Sequence, residues 1–368
     1  MDVLCRLLDG KRVGLAVNQT SVLGSTNVHL LDALLARGGV EVKRIFAPEH
    51  GFRGTEDAGA TVKSHADART GLPVVSLYGT HFKPAAEQVS DLDVIVFDMQ
   101  DVGARFYTYI STMHYLMETC AEYGISFIVL DRPNPNDCID GPVRKPGFRS
   151  FVGVHPVPLL HGLTVGELAM MINGEKWLQS GRQCPLTVVE MERWRHGDSY
   201  RLPVKPSPNL PNEQAVRLYP SLCLFEGTAV SVARGTPFPF QALGCPDPEA
   251  GVFTFTPLPV EGQDSDPVYK GKRCYGMDLR TYSLRRGLTL QFLLAFYHRL
   301  GADGQRFFTR ANWFDLLAGS KELRRQITAG YTEREIRAGW QADLERYRIM
   351  RRKYLLYPDY DEKQTAAE

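Results

Sequence analysis

The sequence predicts an α/β protein with a Rossmann-like parallel sheet in its N-terminal part and a smaller mixed α/β region after it. Short apolar runs of strand length recur at residues 12–18, 42–47, 74–77, 94–97 and 127–130. Segments with helical spacing separate some of these runs, and polar residues or glycine follow each run. Apolar strands that alternate with helices are typical of a parallel sheet covered by helices on both faces.

Two helices can be placed among these runs from the spacing of their apolar residues. One covers residues 28–37, and the other follows an apolar stripe from Tyr109 to Tyr123. Gly124 comes directly after the second stripe, at a position where glycine commonly ends a helix. The alternation of strand and helix therefore covers most of the first 130 residues.

The stretch LPVKPSPNLPN, residues 202–212, is where we expect the chain to divide into domains. Its four prolines do not fit a regular element of a packed interior. We predict a Rossmann-like catalytic domain at residues 1–205 and an α/β domain at 206–368 that closes the cleft.

The remaining elements are predicted from capping signals and apolar patterns. One helix runs from the capping box of Thr164 and Glu167 to Met171, and another covers residues 289–300. Strands are expected at 186–191, 229–232 and 252–255. A last helix opens with Thr332 and Glu335 and carries an apolar stripe of Ile336, Trp340, Leu344 and Tyr347.

Composition argues against several classes of protein. The 368 residues include 43 basic and 42 acidic ones, and a net charge of +1 gives no attraction to nucleic acid or an anionic membrane. No run approaches the roughly 20 apolar residues of a membrane span, and the first residues lack the apolar core of an export signal. As written, the sequence predicts a cytoplasmic protein without nucleic acid or membrane partners. If an export signal has been removed, a periplasmic or secreted location is expected, and no oligomeric state is predicted.

Polar clusters follow five of the apolar runs, at residues 18–21, 49–53, 78–81, 98–109 and 131–136. The carboxyl ends of parallel strands lie on one edge of a sheet, so we expect the clusters to meet in one cleft. An Asn or Asp after a strand often only caps the next helix, and both interpretations stay open for Asn18 and Asp131. The cluster DMQDVGARFYTY holds two carboxylates, an amide, an arginine and two tyrosines, which is more than a turn requires.

Glycoside hydrolysis fits these clusters better than the other chemistries considered. It needs a carboxylic acid that protonates the leaving oxygen and a second group that stabilises an oxocarbenium-like state. Glu49, in the segment APEHGFRG, is the best candidate for the acid. Arg53, Arg105 and Arg234 suit a substrate with a carboxylate of its own, because guanidinium binds carboxylate in a bidentate manner. Internal salt bridges explain any one of these arginines equally well.

Other reaction centres find less support in the spacing of the residues. His50 and His81 with Asp98 and Asp101 offer metal-binding groups, but no HxH, HExxH or cysteine pair holds two ligands on one element. The seven cysteines are scattered and form no CxxC pair. The first strand is followed by NQTSVLGS rather than a GxGxxG dinucleotide motif, and no GxSxG serine motif occurs. We therefore predict neither a metal nor an organic cofactor.

Two loops of the second half carry polar residues among turn-forming ones. PSPNLP contains Asn209, and the segment 225–240 contains Glu226, Arg234 and Thr236. Loops rich in proline and glycine often face a site between domains, although they also serve as simple turns. Both interpretations remain open from the residues alone.

The chain resembles the family of NamZ-like exo-β-N-acetylmuramidases along nearly its whole length. The resemblance is carried by blocks in the same order: GLAVNQTS, APEHGFRG, SLYGTHFKP, VFDMQDVGARFYTYIST, VLDRPNP, SFVGVHPVPLLHGLTVGELA, PSPNLP, FEGTAVSVARGT and RRKYLLYP. It implies hydrolysis of the β-1,4 bond that holds N-acetylmuramic acid at the non-reducing end of a peptidoglycan-derived saccharide. It also implies a Rossmann-like domain that carries the site and a smaller domain that closes over it.

The resemblance also implies roles for single residues. Glu49 corresponds to the proton donor, and the lactyl carboxylate of muramic acid is the anion that the arginines would bind. The resemblance and the residues together give two sets of candidates around Glu49. The catalytic candidates are Tyr78, Asp98 and Asp101. The substrate-binding candidates are Asn18, His50, Arg53, Arg105, Tyr107, Asn209 and Arg234.

Some positions depart from the family pattern. Ala233 stands where glycine is usual before Arg234, residues 202–204 lack a tryptophan often found there, and no export signal is present. For the chemistry we weigh two routes. In one, the 2-acetamido group of the substrate assists, oriented by Asp98 or Asp101; in the other, one of these aspartates activates water. A saccharide-binding protein without turnover and a metal-dependent hydrolase are the alternatives in other classes.

Overall fold

The structure is a computed structural model that describes residues 1–53, 65–79 and 81–360 of the chain. In these residues the strands are β1 Arg12–Val17, β2 Val22–Leu23, β3 Val28–His29, β4 Glu41–Ala47, β5 His65–Ala66, β6 Pro73–Ser76, β7 Val94–Asp98, β8 Ser126–Leu130, β9 Ile139–Asp140, β10 Leu160–His161, β11 Leu186–Val189, β12 Ala242–Cys245, β13 Phe253–Phe255 and β14 Cys274–Asp278. The α-helices are α1 Asp2–Leu8, α2 Leu30–Arg37, α3 Tyr109–Tyr123, α4 Val165–Gly174, α5 Glu213–Leu222, α6 Gln291–Arg299, α7 Gly304–Phe307, α8 Ala311–Ala318, α9 Glu322–Thr328, α10 Glu333–Ala338 and α11 Gln341–Arg351. Short 3-10 helices lie at Gly24–Thr26, Ala86–Gln88, Gln179–Gly181, Cys223–Gly227, Pro248–Ala250 and Arg352–Tyr354.

The main sheet of the described residues has seven strands in the order β11-β8-β7-β1-β4-β6-β5. All neighbouring pairs are parallel except the pair of β5 and β6 at the edge. If the six parallel strands are numbered among themselves, their order is 6-5-4-1-2-3, which is the Rossmann order. The predicted α/β fold with a Rossmann-like parallel sheet is therefore confirmed.

Helices cover both faces of this sheet because its strands are apolar on both sides. In β7, Val94 and Val96 pack in a core with α1 and α2, while Ile95 and Phe97 pack in a second core with α3 and α4. All five residues of β7 are buried. The sheet is thus a buried platform, and its polar residues are confined to the strand ends.

The predicted helix signals in the first half are confirmed. Helix α3 ends at Gly124, which has a φ of 69° and donates its backbone N–H to the Cys120 carbonyl. Helix α4 opens with the capping box of Thr164 and Glu167. The C-terminal end of α3 and the N-terminal end of α4 could therefore be predicted from the sequence.

Two predictions in the second half are wrong. Residues 229–232 form no strand, because Ala233 has a positive φ of 59° that turns the chain, and only Ser231 bridges to Gly244. The predicted last helix is two helices, α10 and α11, since the chain tightens at Gly339, whose N–H bonds to two carbonyls of α10. Glycine is a poor helix former, and the apolar stripe stays buried across the break.

The second half packs directly on the first. It contains a three-stranded antiparallel sheet in the order β12-β14-β13, and helices of both halves share one apolar core. The predicted domains, residues 1–205 and 206–368, stay a prediction. No described helix has both the length and the apolar character of a membrane span.

Residues 355–360, which we call the docking segment, return to the first half. Leu356 donates its backbone N–H to the Glu167 carboxylate at 2.9 Å. The hydroxyl groups of Tyr357 and Tyr360 donate to Asp131 at 2.7 Å and to Asp137 at 2.8 Å. Asp137 and Glu167 in turn bracket the buried ring of His196, with nitrogen to oxygen distances of 3.1 and 3.0 Å. A polar network thus joins residues far apart in the sequence.

Candidate active site

A cavity of about 630 Å³ lies over the carboxyl ends of β4 and β6 and beneath loops of the second half. Its volume is typical of a small-molecule site. The polar residues at its wall include Glu49, His50, Tyr78, Thr108, Asn209, Glu226 and Arg234. These residues come from both halves of the chain, so the site exists only when the halves are packed together.

Glu49 is held by hydroxyl groups. The Thr108 hydroxyl donates to Glu49 Oε2 at 2.7 Å, and the Tyr78 side chain forms a second hydrogen bond to the same carboxyl group. Burial, followed by the negative charge of Glu49, raises the pKa of Tyr78 above its usual value. The phenol therefore stays protonated and able to donate, which fixes the orientation of Glu49.

A tight turn places Glu49 and His50 at the cavity wall. The Gly51 N–H bonds to the Pro48 carbonyl at 3.0 Å, and both His50 and Gly51 have positive φ angles, of 69° and 74°. A positive φ is unusual for histidine and costs free energy that the surrounding packing must supply. The segment APEHGFRG is thus a strained turn that presents side chains to the cavity, although its last residue, Gly54, lies outside the described residues.

Glu226 and Arg234 form an ion pair at the wall contributed by the second half. The Nε and Nη2 atoms of Arg234 both donate to Glu226 Oε1, at 3.1 and 2.6 Å. Burial lowers the pKa of Arg234, but Glu226 outweighs it, so the guanidinium is held as a cation. Arg234 Nη1 is buried without a hydrogen-bond partner among the described residues. A buried guanidinium with a spare donor is suited to an anionic ligand group.

Tyr107 and Asn209 line the cavity, and each donates a hydrogen bond within the protein, while Asn209 Oδ1 has no partner among the described residues. The hydroxyl groups of Tyr107 and Tyr109 donate to the Pro206 carbonyl at 2.8 and 3.1 Å. Asn209 Nδ2 donates to the Gln263 carbonyl at 2.9 Å. Tyr107 therefore holds the segment PSPNLP against the first half, and Asn209 fixes a second loop at the cavity rim.

Asp98 and Asp101 are buried and do not belong to the described lining of the cavity. Asp98 Oδ1 accepts from Arg132 Nε at 2.6 Å. Asp101 Oδ2 accepts from the Gly103 N–H at 2.7 Å and lies 3.3 Å from a nitrogen of His161. Both carboxylates therefore brace the turn between β7 and α3, and the geometry gives neither one contact with the cavity.

Arg53, Arg105 and Asn18 also lie outside the described cavity lining. Arg53 is partly exposed and pairs with Asp67 at 2.9 Å. Arg105 is fully buried and donates to the carbonyls of residues 142, 157 and 317, at 2.7, 2.8 and 2.9 Å. Asn18 closes a turn by accepting from the backbone and hydroxyl of Thr20. Arg53 thus forms the salt bridge that was the alternative to substrate binding, whereas Arg105 bonds backbone carbonyls and Asn18 closes a turn rather than capping a helix.

Thr108 is a polar site residue that the sequence did not single out. It directly precedes the predicted start of a helix, where a hydroxyl residue is a capping signal. Glu226, eight residues before Arg234, was expected only as one polar residue of the loop 225–240 and was given no role. No sequence signal identified Trp313, which lines the cavity from α8. Within the described residues no group of three or more His, Cys, Asp or Glu could hold a metal ion.

Comparison with known proteins gives consistent matches over the whole chain. Residues 13–214 match the family profile of the exo-β-N-acetylmuramidase NamZ N-terminal region, and residues 217–357 match that of its C-terminal region. The peptidoglycan β-N-acetylmuramidase NamZ of Bacillus subtilis strain 168 is 38% identical over 372 residues, which cover 95% of this chain and 88% of that protein.

Two crystal structures of DUF1343 family proteins from Bacteroides fragilis NCTC 9343 are similar to this structure. One is 43% identical with a TM-score of 0.89, and the match covers 98% of this chain and 97% of that one. The other is 32% identical with a TM-score of 0.83, and covers 97% and 96%.

Proposed function

The chain belongs to the exo-β-N-acetylmuramidase NamZ family, and we propose that it releases β-1,4-linked N-acetylmuramic acid from the non-reducing end of peptidoglycan fragments. The observation that supports this reaction most directly is the cavity that holds Glu49, Glu226 and Arg234 together. It combines an oriented carboxyl group, a second carboxylate and a cationic group, which are the parts needed to cleave an acidic sugar.

Glu49 is the proton donor in this proposal. Thr108 and Tyr78 fix its carboxyl group by hydrogen bonds. A positioned general acid typically accelerates a reaction about 10²- to 10⁴-fold. Glu49 therefore protonates the glycosidic oxygen as the bond to the muramic acid breaks.

Arg234 binds the lactyl carboxylate of muramic acid. Its Nε and Nη2 atoms are occupied by Glu226, whereas Nη1 is buried at the cavity without a partner in the described part of the chain. A guanidinium whose Nη1 has no partner gains a charge-assisted hydrogen bond when a carboxylate enters. Arg234→Lys keeps the charge but loses this donor. We therefore expect the substitution to raise KM for muramic acid glycosides more than it raises KM for matched N-acetylglucosamine glycosides.

Glu226 is the second reacting carboxylate that we propose, in place of Asp98 and Asp101, which lie outside the described cavity lining. Both hydrogen bonds from Arg234 go to Oε1 of Glu226. Glu226 then either activates water for direct inversion or orients the 2-acetamido group of the substrate. Proton NMR of the first-formed sugar separates the two routes, since an α product requires inversion and a β product requires retention.

The decisive assay uses a chromogenic β-N-acetylmuramic acid glycoside and the variants Glu49→Gln and Glu41→Gln. Glu41 is at the opposite end of β4, where its exposed side chain pairs with Lys43, so it serves as a matched control. We expect Glu49→Gln to lose at least about 100-fold in kcat without a change in stability, and Glu41→Gln to keep full activity. No release by the unaltered protein, or full activity in Glu49→Gln, would contradict the proposal.

The same assay tests the alternatives from other classes. A saccharide-binding protein without turnover would bind the glycoside and release no product. A metal-dependent hydrolase would lose activity with a chelator and regain it with added metal. The cytoplasmic location stays a prediction that rests on the sequence as written.

A further inference from the structure

Four aromatic side chains form a continuous cluster that starts at the cavity wall. The ring centroids of Phe82 and Phe151 are 4.0 Å apart, with their planes within 18°. Tyr115 lies 6.1 Å from Phe82 and 6.2 Å from Phe151, with planes within 21° and 9°. Tyr78 joins the cluster at 5.6 Å from Phe151. All four side chains are only partly buried, so part of each ring stays open to solvent.

The aromatic cluster contacts Glu49, the proposed proton donor, through Tyr78. Tyr78 belongs to the cavity wall and hydrogen-bonds Glu49, and Val152, the neighbour of Phe151, also lines the cavity. The Phe151 carbonyl is fixed by the Ser111 hydroxyl at 2.6 Å. The cluster therefore runs outward from the proton donor along helix α3.

Helix α3 gives the distance between the Glu49 end of the aromatic cluster and its outer end at Tyr115. Thr108 contacts Glu49 at the start of the helix, and Tyr115 is seven residues further on. With a rise of 1.5 Å per residue, the two positions are about 10 Å apart along the helix axis. A ligand that reaches from the Glu49 carboxyl group to Tyr115 must be longer than one sugar ring.

The chemistry of the proposed reaction fixes which part of a substrate lies here. A general acid touches the leaving oxygen, so the sugar on the leaving side lies next to Glu49 and to Tyr78, which is bonded to it. Pyranose rings of this type have an apolar face of C–H groups, and aromatic rings are the side chains that bury such a face best. The mixed character of tyrosine also suits the hydroxyl groups at the edge of a sugar.

We propose that Tyr78, Phe82, Phe151 and Tyr115 form a binding platform for the sugars on the leaving side of the cleaved bond. The platform takes N-acetylglucosamine and the saccharide that follows it. This inference rests on the proposed function, because the direction of the chain follows from Glu49 as proton donor. It predicts that the protein prefers longer fragments to short glycosides with a small leaving group.

The test compares kcat/KM for a saccharide that carries N-acetylmuramic acid on at least three further sugars with kcat/KM for the short chromogenic glycoside. In Tyr115→Ala and Phe82→Ala we expect the ratio of long to short substrate to fall about 5- to 10-fold, mainly through KM. Tyr115→Phe keeps the ring and is expected to restore the ratio. Tyr123→Ala, at the exposed end of the same helix, is the control and is expected to leave both substrates unaffected.

Different failures have different meanings. An unchanged ratio in both alanine variants, or an equal loss on both substrates, would overturn the platform and assign the rings to packing alone. If the unaltered protein releases no muramic acid from either substrate, the proposed function fails. The platform is then tested by calorimetric titration of the same long saccharide, where binding at equal affinity to Tyr115→Ala and the unaltered protein would overturn it.

Discussion

His196 should make the stability of this protein depend on pH in the alkaline range. Its ring is buried, and burial alone would lower its pKa. Hydrogen bonds and charges from Asp137 and Glu167 outweigh burial and raise the pKa of His196 to about 9 from an ordinary value of 6.5. The folded protein therefore binds this proton more tightly than the unfolded chain does.

The direction and size of the effect follow from these two pKa values. A raised pKa contributes its full stabilisation below pH 6.5 and loses it as the pH rises through 9. Each tenfold difference in proton affinity corresponds to about 1.4 kcal/mol, so these two pKa values set an upper limit of about 3.5 kcal/mol. The docking segment should loosen with it, because Leu356 and Tyr360 bind the same two carboxylates.

Urea unfolding of the unaltered protein and of His196→Gln, measured from pH 6 to pH 10, isolates this contribution. We expect the difference in the free energy of unfolding to be largest near pH 6 and to shrink by about 3 kcal/mol by pH 10. NMR titration of the His196 ring gives an independent reading even if the variant folds poorly. A difference that stays constant over this range, or a ring that titrates near 6.5, would refute the reasoning.

Three further predictions concern the site and the packing around it. Thr108→Val removes the hydroxyl that orients Glu49, and since a hydrogen bond to an ionisable group contributes about 1.5 to 3 kcal/mol, we expect kcat/KM for the muramic acid glycoside to fall about 10-fold or more. Arg105→Met removes a buried cation that bonds three carbonyls, so the free energy of unfolding measured in urea should fall by more than about 3 kcal/mol while KM of the folded fraction stays within about twofold. Gly276→Ala places a Cβ 1.9 Å from the Leu243 carbonyl oxygen inside the antiparallel sheet, and thermal unfolding should show a loss of about 3 kcal/mol.

Each of these predictions has its own control. Thr119→Val removes a hydroxyl from the middle of α3, far from Glu49, and should leave kcat/KM unaltered. An Arg105→Met protein of normal stability with a raised KM would instead support a substrate-binding role for Arg105. Gly153→Ala meets its nearest atom at an ordinary 3.4 Å and should change stability by less than about 0.5 kcal/mol, so a similar loss in both glycine variants would contradict the packing argument.

Local patterns in the sequence were sufficient to predict the sheet and part of the site. Apolar runs and capping signals act over a few residues, so β7, α3 and the start of α4 were found. Glu49 and Tyr78 reach the cavity because strand ends in a parallel sheet share one edge. The break between α10 and α11 was missed, because the buried apolar stripe continues across it.

The sequence could not show which polar residues of the segment 98–109 face the cavity. Thr108 faces it, whereas Asp98 pairs with Arg132, and Arg105 reaches a carbonyl 212 residues away. A polar side chain that braces the fold and one that meets a ligand look alike when their partners come from distant parts of the chain. The composition of residues 98–109 therefore indicated a functional segment, but it did not show which of its residues face the cavity and which brace the fold.

The docking segment also governs when the first half can become complete during synthesis. Tyr357 is 226 residues after its partner Asp131, and Tyr360 is 223 residues after Asp137. While the chain emerges from the ribosome, Asp131 and Asp137 already have partners in the first half, at Thr164, Gly166 and His196. The tyrosine hydroxyl groups that complete this buried network are made last. Contacts of such long range form slowly. We therefore expect a fragment ending at residue 205 to depend on chaperones or to aggregate, even though it contains every strand of the main sheet.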